Sequence, residues 1–452
     1  MNITVVGAGY VGLITAACFA ELGNDVTCID LNPDRVNALN SGKPPFFEPG
    51  LADLVARNTQ NGRLRASFKI EEAVLGSQMI FIAVGTPSVN GDIDLSQVLG
   101  VAEQIGATLR DNIAGHIVVV KSTVVPGTTD GPVRDTLAAA AGVDRGQVRV
   151  AMNPEFLRQG AAVDDFMQPD RIVVGASSAE IASQVVALYE KLDCASRILT
   201  TAVNAELIKY ATNTFLATAI SFSNEFANIC EQTPGADVTT VMQGLHYDRR
   251  LSSWDGSKSS FSGIVTYLKA GCGYGGSCLP KDVRAFTRYA EKKQVPSELL
   301  SAAMYINEGR SKWLVDRVCA RIGDLAGRSI LVVGIAFKPG TDDLRDSPAL
   351  GVLDALTAAG AKVLAWDPFV SERQLSAWTL DKIEDVKAAI AQCDAMIITG
   401  NFEELAVLDW CDLLGRSPCR SIVDGRGVLT GISLPASVNY DVVGRQQTAV
   451  RE

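Results

Sequence analysis

The chain opens with a short apolar run, residues 2–6 (NITVV), followed by a glycine-rich turn and an apolar, helix-like stretch to about Leu22. A second apolar run, Val26–Ile29, ends at Asp30, and further runs of buried type lie at 79–84, 117–121, 148–151 and 171–174, separated by segments with helical spacing. Strands that alternate with helices predict an α/β fold on a parallel, doubly wound sheet, and this first domain is expected over 1–200. From Asn204 to Glu231 neither proline nor glycine interrupts a helical pattern. One long helix should therefore leave the first domain and form the spine of a small helical domain over 201–310. Residues 251–263 (LSSWDGSKSSFSG) are polar and glycine-containing, and read as a loop or insertion. A second α/β domain, expected over 325–452, starts with the run at Ile330 (ILVVG), has a strand ending at Asp367 and continues with runs at 395–399 and 421–424.

A length of 452 residues exceeds one ordinary core, in keeping with several domains. The composition, 47% hydrophobic and 20% charged, is that of a globular chain. A formal charge of −10 argues against a broad nucleic-acid or membrane-surface footprint, while leaving room for a locally basic pocket and a small anionic substrate. The longest apolar runs, such as Met79–Val84 and Ile117–Val120, fall far short of the roughly 20 residues that span a bilayer. With no basic leader ahead of the first strand, a cytoplasmic location is expected. Among ten cysteines, Cys18, Cys28 and Cys230 lie inside apolar segments, so reduced thiols are expected rather than a disulfide framework. The Cys and His spacings of a metal site are absent, so no metal is expected, and with only His116 and His246 in the chain, histidine acid–base catalysis is disfavoured.

Candidate chemistry gathers in seven segments. Gly7, Gly9 and Gly12 form a GxGxxG turn between a strand and a helix, and Asp30 ends the next strand. Glycines there allow a tight turn and close approach of a pyrophosphate to the helix N-terminus. An acid at the second strand bonds the adenosine ribose and repels a 2′-phosphate, so NAD is favoured over NADP. Lys121–Thr128 (KSTVVPGT) and Val84–Pro87 (VGTP) follow strands of the same sheet, where ligands collect, although ordinary strand-to-helix turns would look the same. Asn153–Gly160 (NPEFLRQG) offers Glu155 as a general base or a capping carboxylate. Lys209 and Asn213 share one helix face and could donate to a developing alkoxide, unless the lysine is simply a surface residue. Gly271–Asp282 (GCGYGGSCLPKD) is the most specific segment. Its glycines suggest backbone amides exposed to an anion, and Cys278, beside Lys281 and Asp282, is a candidate nucleophile, with Cys272 as its rival. Phe337–Arg345 (FKPGTDDLR) replaces GxGxxG in the second α/β domain, so that domain should not bind a dinucleotide in the same way.

These ordered motifs, together with ELIKYATN, FKPGTDDLRDSP and DGRG, resemble the UDP-glucose 6-dehydrogenase branch of the UDP-glucose/GDP-mannose dehydrogenase family from residue 1 to about 430. The resemblance implies an NAD-binding Rossmann domain, a helical dimerisation domain and a C-terminal Rossmann-like domain that holds the nucleotide. It implies a four-electron oxidation of a nucleotide hexose at C6, with UDP-glucose the leading substrate, through a thiohemiacetal and a thioester on Cys278. By the same resemblance Lys209 and Asn213 stabilise oxyanions, Asp282 orders the lysine and water, and Glu155 assists hydrolysis with Thr123. Val11, Arg35, Thr86, Thr123, Gln159, Lys281 and Arg345 join the glycine turn and Asp30 as cofactor residues. Glu155, Phe156, Leu157, Arg158, Lys209, Asn213, Tyr267, Leu268, Lys269, Gly271, Gly275, Phe337, Lys338 and Arg426 line the nucleotide-sugar site. A homodimer or larger homo-oligomer is implied, with no nucleic-acid or membrane partner.

Three positions depart from the family pattern: Gln159 stands for a usual Glu, Leu279 for a common Phe, and Phe261–Ile264 for an Arg-Ile-Gly that reaches the neighbouring subunit. Arg249 or Arg250 is then the candidate for that contact. The competing expectations are the same chemistry on dTDP-glucose or GDP-mannose, a single-step β-hydroxyacid-type dehydrogenase, and a non-catalytic nucleotide sensor.

Overall fold

The computed structural model describes residues 1–254, 259–261 and 263–446. The chain divides into two compact units, Met1–Thr212 and Asn213–Glu452. The 30-residue helix Ala202–Glu231 runs through the division and contributes residues to both.

The first unit is built on an eight-stranded sheet with the order Arg197–Thr200, Ile172–Ala176, Val150–Met152, Ile117–Val120, Met79–Ile82, Asn2–Val6, Asp25–Ile29, Leu64–Ser67. Both faces are covered. Val5, Phe81 and Val119 pack on one side with the helix Tyr10–Glu21, and Val6, Ile80, Ile82 and Val120 on the other with Ser96–Leu109 and Arg134–Ala141. A sheet buried on both faces needs apolar side chains at consecutive positions, which is why these strands read as unbroken runs. The expected parallel sheet holds for its first six strands. Ile172–Ala176 then pairs antiparallel with Val150–Met152, and Arg197–Thr200 pairs parallel with Ile172–Ala176, so two strands at one edge run the opposite way.

The second unit contains a six-stranded, wholly parallel sheet in the order Leu380–Lys382, Lys362–Trp366, Ser329–Val333, Ala395–Ile398, Ser421–Asp424, Asn439–Val442. Ile330 and Val332 face one core, and Leu331 and Val333 the other. Ahead of the sheet come the helices Val238–His246, Leu279–Lys292 and the 25-residue Glu298–Ile322. The latter is tied to the end of Ala202–Glu231: Glu231 accepts from Trp313 Nε1 at 2.9 Å and from Arg317, and the Arg310 and Arg317 guanidinium groups lie 4.7 and 4.8 Å from the centre of the Trp313 ring. The stretch expected as a loop over 251–263 instead holds a short antiparallel hairpin, Ser252–Trp254 with Ser259–Phe261, while 255–258 and 262 lie outside the described residues. Strands of three residues are too short for their sequence to separate them from a loop. Among the described residues no helix is long and apolar enough to cross a membrane.

Candidate active site

In the first sheet the strand order reverses between Asn2–Val6 and Met79–Ile82, the place where an open α/β sheet forms its ligand crevice. The turn Gly7–Gly12 leaves the first of these strands. Gly7 has φ +106° and a Cβ there would lie 2.7 Å from the Ala83 carbonyl, while a Cβ on Gly12 would lie 1.8 Å from the Gly7 carbonyl. Gly9 has nothing within 4 Å of such an atom, and it starts the helix Tyr10–Glu21, which has no side-chain cap. Packing thus demands two of the glycines, and the third leaves an open approach to uncapped amides, suited to a pyrophosphate. Asp30 Oδ2 accepts from Ala8 N at 2.8 Å, Oδ1 accepts from Asn32 N at 2.9 Å, and Arg35 Nη1 lies 3.3 Å from Oδ2. An ionised carboxylate has about four acceptor positions, so Asp30 can tie the turn and still receive ribose hydroxyls. These residues fit a dinucleotide.

The neighbouring turns are bonded to each other. Thr86 Oγ1 donates to the Thr123 carbonyl at 2.9 Å, and Ser122 Oγ to the Val84 carbonyl at 2.6 Å. Half-buried Gln159 precedes Gly160, whose N–H donates to Glu48 at 2.8 Å. Glu48 also accepts from Tyr10 OH at 2.6 Å and Ala162 N at 2.7 Å, which ties the glycine turn to the 158–162 loop. Nothing in the sequence marked Glu48 as buried.

Lys209 is only 4% exposed, which removes the surface-lysine reading. Its Nζ donates to Glu155 Oε1 and to the Glu155 carbonyl, both at 2.8 Å, and Glu155 Oε2 accepts from Leu157 N at 2.7 Å. Burial alone would raise the Glu155 carboxyl. The Lys209 charge and hydrogen bond, the Leu157 amide and the Lys121 charge outweigh it and hold the group below its ordinary value. Glu155 is accordingly a weak base and a firm anchor for Lys209. Three residues earlier on the helix, buried Glu206 accepts from Gly127 N at 2.5 Å, Thr129 N at 2.8 Å and Thr129 Oγ1 at 2.7 Å, which ties the KSTVVPGT turn to the same helix. Nearby, Phe156 carries the Arg171 guanidinium over its ring at 3.9 Å, while exposed Arg158 pairs with Asp165 at 2.6 Å.

In the second unit, exposed Cys278 is the N-cap residue of Leu279–Lys292, a helix end that favours negative charge on sulfur. Cys272 is fully buried, with Sγ 3.4 Å from the Gly425 carbonyl, and burial pushes its thiol up. Asp282 is 1% exposed and receives Asn213 Nδ2 on Oδ2 and Lys281 Nζ on Oδ1, each at 2.6 Å. The glycines of the loop serve close packing. A Cβ on Gly273 would lie 2.3 Å from Asn307 Oδ1, and one on Gly275 would lie 2.4 Å from the Asp346 carbonyl. Gly276, at φ +82°, presses on the Phe337 ring, 2.9 Å from where a Cβ would stand. Three amides of the loop are engaged: Gly271 N donates to Asn224 at 2.8 Å, Tyr274 N to Asn307 at 2.7 Å, and Gly276 N to the Arg345 carbonyl at 2.9 Å. Those three amides face the protein, so the expectation of amides exposed to an anion does not apply to them.

Arg345, expected at the cofactor, directs its guanidinium to Asp343 at 2.6 and 2.8 Å, while its carbonyl holds the cysteine loop. Arg426 Nε donates to the Thr399 carbonyl at 2.8 Å, and Arg426 Nη1 lies 3.6 Å from where a Gly271 Cβ would stand. Gly271, Gly275, Phe337, Arg345 and Arg426 are thus brought together around one loop. Tyr267, half-buried, and Lys269, exposed, lead into it, as does buried Leu268, whose carbonyl is 3.1 Å from His246 Nε2. Lys338, half-buried, follows Phe337. In the second sheet Asp367 Oδ2 accepts from Ile335 N at 2.8 Å and Ala336 N at 3.0 Å. Those turn amides are bonded internally, as Ala8 N is to Asp30 in the first sheet.

Comparison with known proteins accounts for almost the whole chain. Residues 1–193 match the NAD binding domain, 203–309 the central domain and 331–431 the UDP binding domain of the UDP-glucose/GDP-mannose dehydrogenase family. UDP-glucose 6-dehydrogenase of Rhizobium meliloti is 42% identical over 442 residues, 95% of either chain. UDP-glucose 6-dehydrogenase AglM of Haloferax volcanii is 40% identical, over 95% of this chain and 97% of its own. Among solved structures, a UDP-glucose dehydrogenase from the archaeon Pyrobaculum islandicum superposes with a TM-score of 0.89 at 37% identity, covering 98% of this chain and 97% of that one. With all three domain models matched in order, the chain belongs to the UDP-glucose/GDP-mannose dehydrogenase family.

Proposed function

We propose that the protein oxidises UDP-glucose to UDP-glucuronate, and that Cys278 carries the sugar between two oxidations. The observation that supports this most is the exposed cysteine at a helix N-terminus, followed within one turn by a buried Asp282 that grips both Lys281 and Asn213. Bound NAD supplies a hydride acceptor for each oxidation. The C6 hydroxyl gives up a proton and a hydride to become an aldehyde, and the Cys278 thiolate adds to its carbon. Loss of a hydride from this thiohemiacetal leaves a thioester, and water releases the carboxylate and returns the thiol. One sugar and one water thus yield the acid, two reduced cofactors and three protons. Lys209 and Asn213 stabilise the oxyanions. Glu155, held ionised by two lysines, orients Lys209 and the hydrolytic water with Thr123. A covalent adduct retains an aldehyde that would otherwise diffuse away or hydrate.

The NADH yield tests the proposal. Two NADH per UDP-glucose are expected, whereas a single-step dehydrogenase yields one and a nucleotide sensor none. Turnover of dTDP-glucose and GDP-mannose beside UDP-glucose checks the base, where Leu279 is the position of interest. Among the described residues no disulfide joins the ten cysteines, which suits a reducing compartment, and we place the enzyme in the cytoplasm. Phe215, Phe222 and Ile229 recur every seven residues along one helix and are 60%, 39% and 54% exposed, so a second copy of the chain should cover them. Phe222→Glu should then shift the protein to monomer in light scattering. Arg249 and Arg250 remain the candidates to reach a neighbouring subunit's substrate, Arg250 from an exposed pair with Asp248.

A further inference from the structure

A second lysine lies beneath the Lys209–Glu155 pair. Lys121 directly follows the strand Ile117–Val120 and is 4% exposed. Its Nζ makes one close contact, 3.0 Å to Asn153 Oδ1, and two longer ones at 3.5 Å, to the Pro154 carbonyl and to Tyr189 OH. Asn153 Oδ1 also receives Tyr189 OH at 2.5 Å, and its amide nitrogen donates to the Val173 carbonyl at 2.8 Å. Asn153, Tyr189 and Glu155 are all buried. Lys121 thus holds the two residues just before Glu155, while Lys209 takes the direct bond to the Glu155 carboxylate.

That is a costly arrangement for a fold. Burying an ammonium group disfavours its charged form unless it is well bonded, and a methionine of similar length would fill this space without the penalty. Burial lowers the Lys121 ammonium to about 8, with Lys209 acting in the same direction and Glu155 against both. What Lys121 holds is the turn Asn153–Pro154 that leads into Glu155. Glu155 in turn holds Lys209 through both its carboxylate and its carbonyl. We propose that Lys121 is a positioning residue of the reaction, whose buried charge fixes the Asn153–Pro154 turn and so sets Glu155 and, through it, Lys209. The inference rests on the roles proposed above for Glu155 and Lys209.

The charged and titratable groups that face Lys121 are Glu155, Lys209 and Tyr189. As pH rises through about 8, Lys121 loses its charge and the grip on the turn weakens. The test uses the full-length enzyme with NAD and UDP-glucose. Lys121→Met is expected to lose at least tenfold in kcat, keep KM for both substrates within about twofold, and lose the alkaline fall near pH 8. Its thermal midpoint should be unchanged or higher, since a buried charge has been removed, and a merely structural lysine would instead lower midpoint and kcat together. Lys121→Gln, which keeps a polar side chain without the charge, should show the same kcat loss and serves if Lys121→Met does not fold. Either variant folded with wild-type kcat and an intact alkaline limb would overturn the inference. Glu155→Gln separates the two levels: if it also keeps full kcat, the proposed role of Glu155 fails, whereas a crippled Glu155→Gln beside a normal Lys121→Met sinks only the role of Lys121.

Discussion

Asp282→Asn changes one atom and tests how the Asn213 amide is aimed. The Asp282 carboxylate only accepts hydrogen bonds, so Asn213 must turn its Nδ2 toward it, and one N–H remains for a reacting oxygen. An asparagine at 282 can either accept or donate, and the Asn213 amide loses its reason to face one way. A hydrogen bond to a charged group is worth about 1.5–3 kcal/mol. Asn213 and Asp282 are both buried, so that bond counts in full, while the Lys281 side chain is 18% exposed and its bond counts at the lower end. A neutral bond of about 1 kcal/mol survives to Asn213 and a bond from the Lys281 ammonium survives at the other place, so the net loss is about 2 kcal/mol, or roughly 30-fold in kcat. Initial rates of NADH formation at saturating NAD and UDP-glucose give kcat, and a thermal melt confirms folding. In the double variant with Asn213→Ala, the second change should add less than about threefold, because the two groups act as one unit. A kcat within threefold of wild type, or fully additive losses, would refute the idea that Asp282 aims Asn213.

Cys278→Ala should still perform the first, reversible oxidation yet form no acid, whereas Cys272→Ala should keep most activity because that thiol is buried against the Gly425 carbonyl; acid formation by the former, read by chromatography, would remove Cys278 from the mechanism. Wild type should prefer NAD to NADP at least about tenfold in kcat/KM, and Asp30→Ala should narrow that gap by losing a charged acceptor worth about 1.5–3 kcal/mol; an unchanged ratio would point to another discriminating group. The Glu155 carboxyl is depressed in the folded state, so its contribution to stability is present above the ordinary value of 4.5 and is lost as pH falls through the lower folded value. The thermal midpoint of wild type should therefore drop below about pH 4.5 more steeply than that of Glu155→Gln, and parallel curves would contradict the buried pairing.

What the sequence discloses depends on whether a position's physical duty restricts its residue type. Gly7 and Gly12 stand where any Cβ meets backbone, so they are legible as glycines of a tight turn, and doubly covered strands are legible as unbroken apolar runs. The edge strands Leu64–Ser67, Arg197–Thr200, Leu380–Lys382 and Asn439–Val442 were not, since half-exposed strands of three or four residues resemble loops. Strand direction at Ile172–Ala176 was hidden too, because burial on both faces leaves the same pattern either way. Among the site residues, Cys278, Lys209, Asn213 and Asp282 came from motifs. Glu48 lay in none, and Glu206 and Lys121, although they open ELIKYATN and KSTVVPGT, carried no assigned role, since a buried charged residue has the same letter as a solvated one, and only its neighbours in space reveal its partners.

The reversal of the last two strands of the first sheet has a consequence for how the chain tolerates insertion and deletion. Because Arg197–Thr200 runs against the central strands, the chain leaves it at the end opposite the Gly7 turn, and the helix from Ala202 must climb back to where Glu155 waits. A helix advances about 1.5 Å and turns 100° per residue, so it works as a vernier whose marks are Glu206, Lys209 and Asn213. One residue added or removed between Ala202 and Asn213 would swing every later mark by more than a quarter turn, and no loop lies within the helix to absorb it. Length variation in this stretch should come only in steps near a whole turn, while the loops on either side of the sheet remain free to grow or shrink.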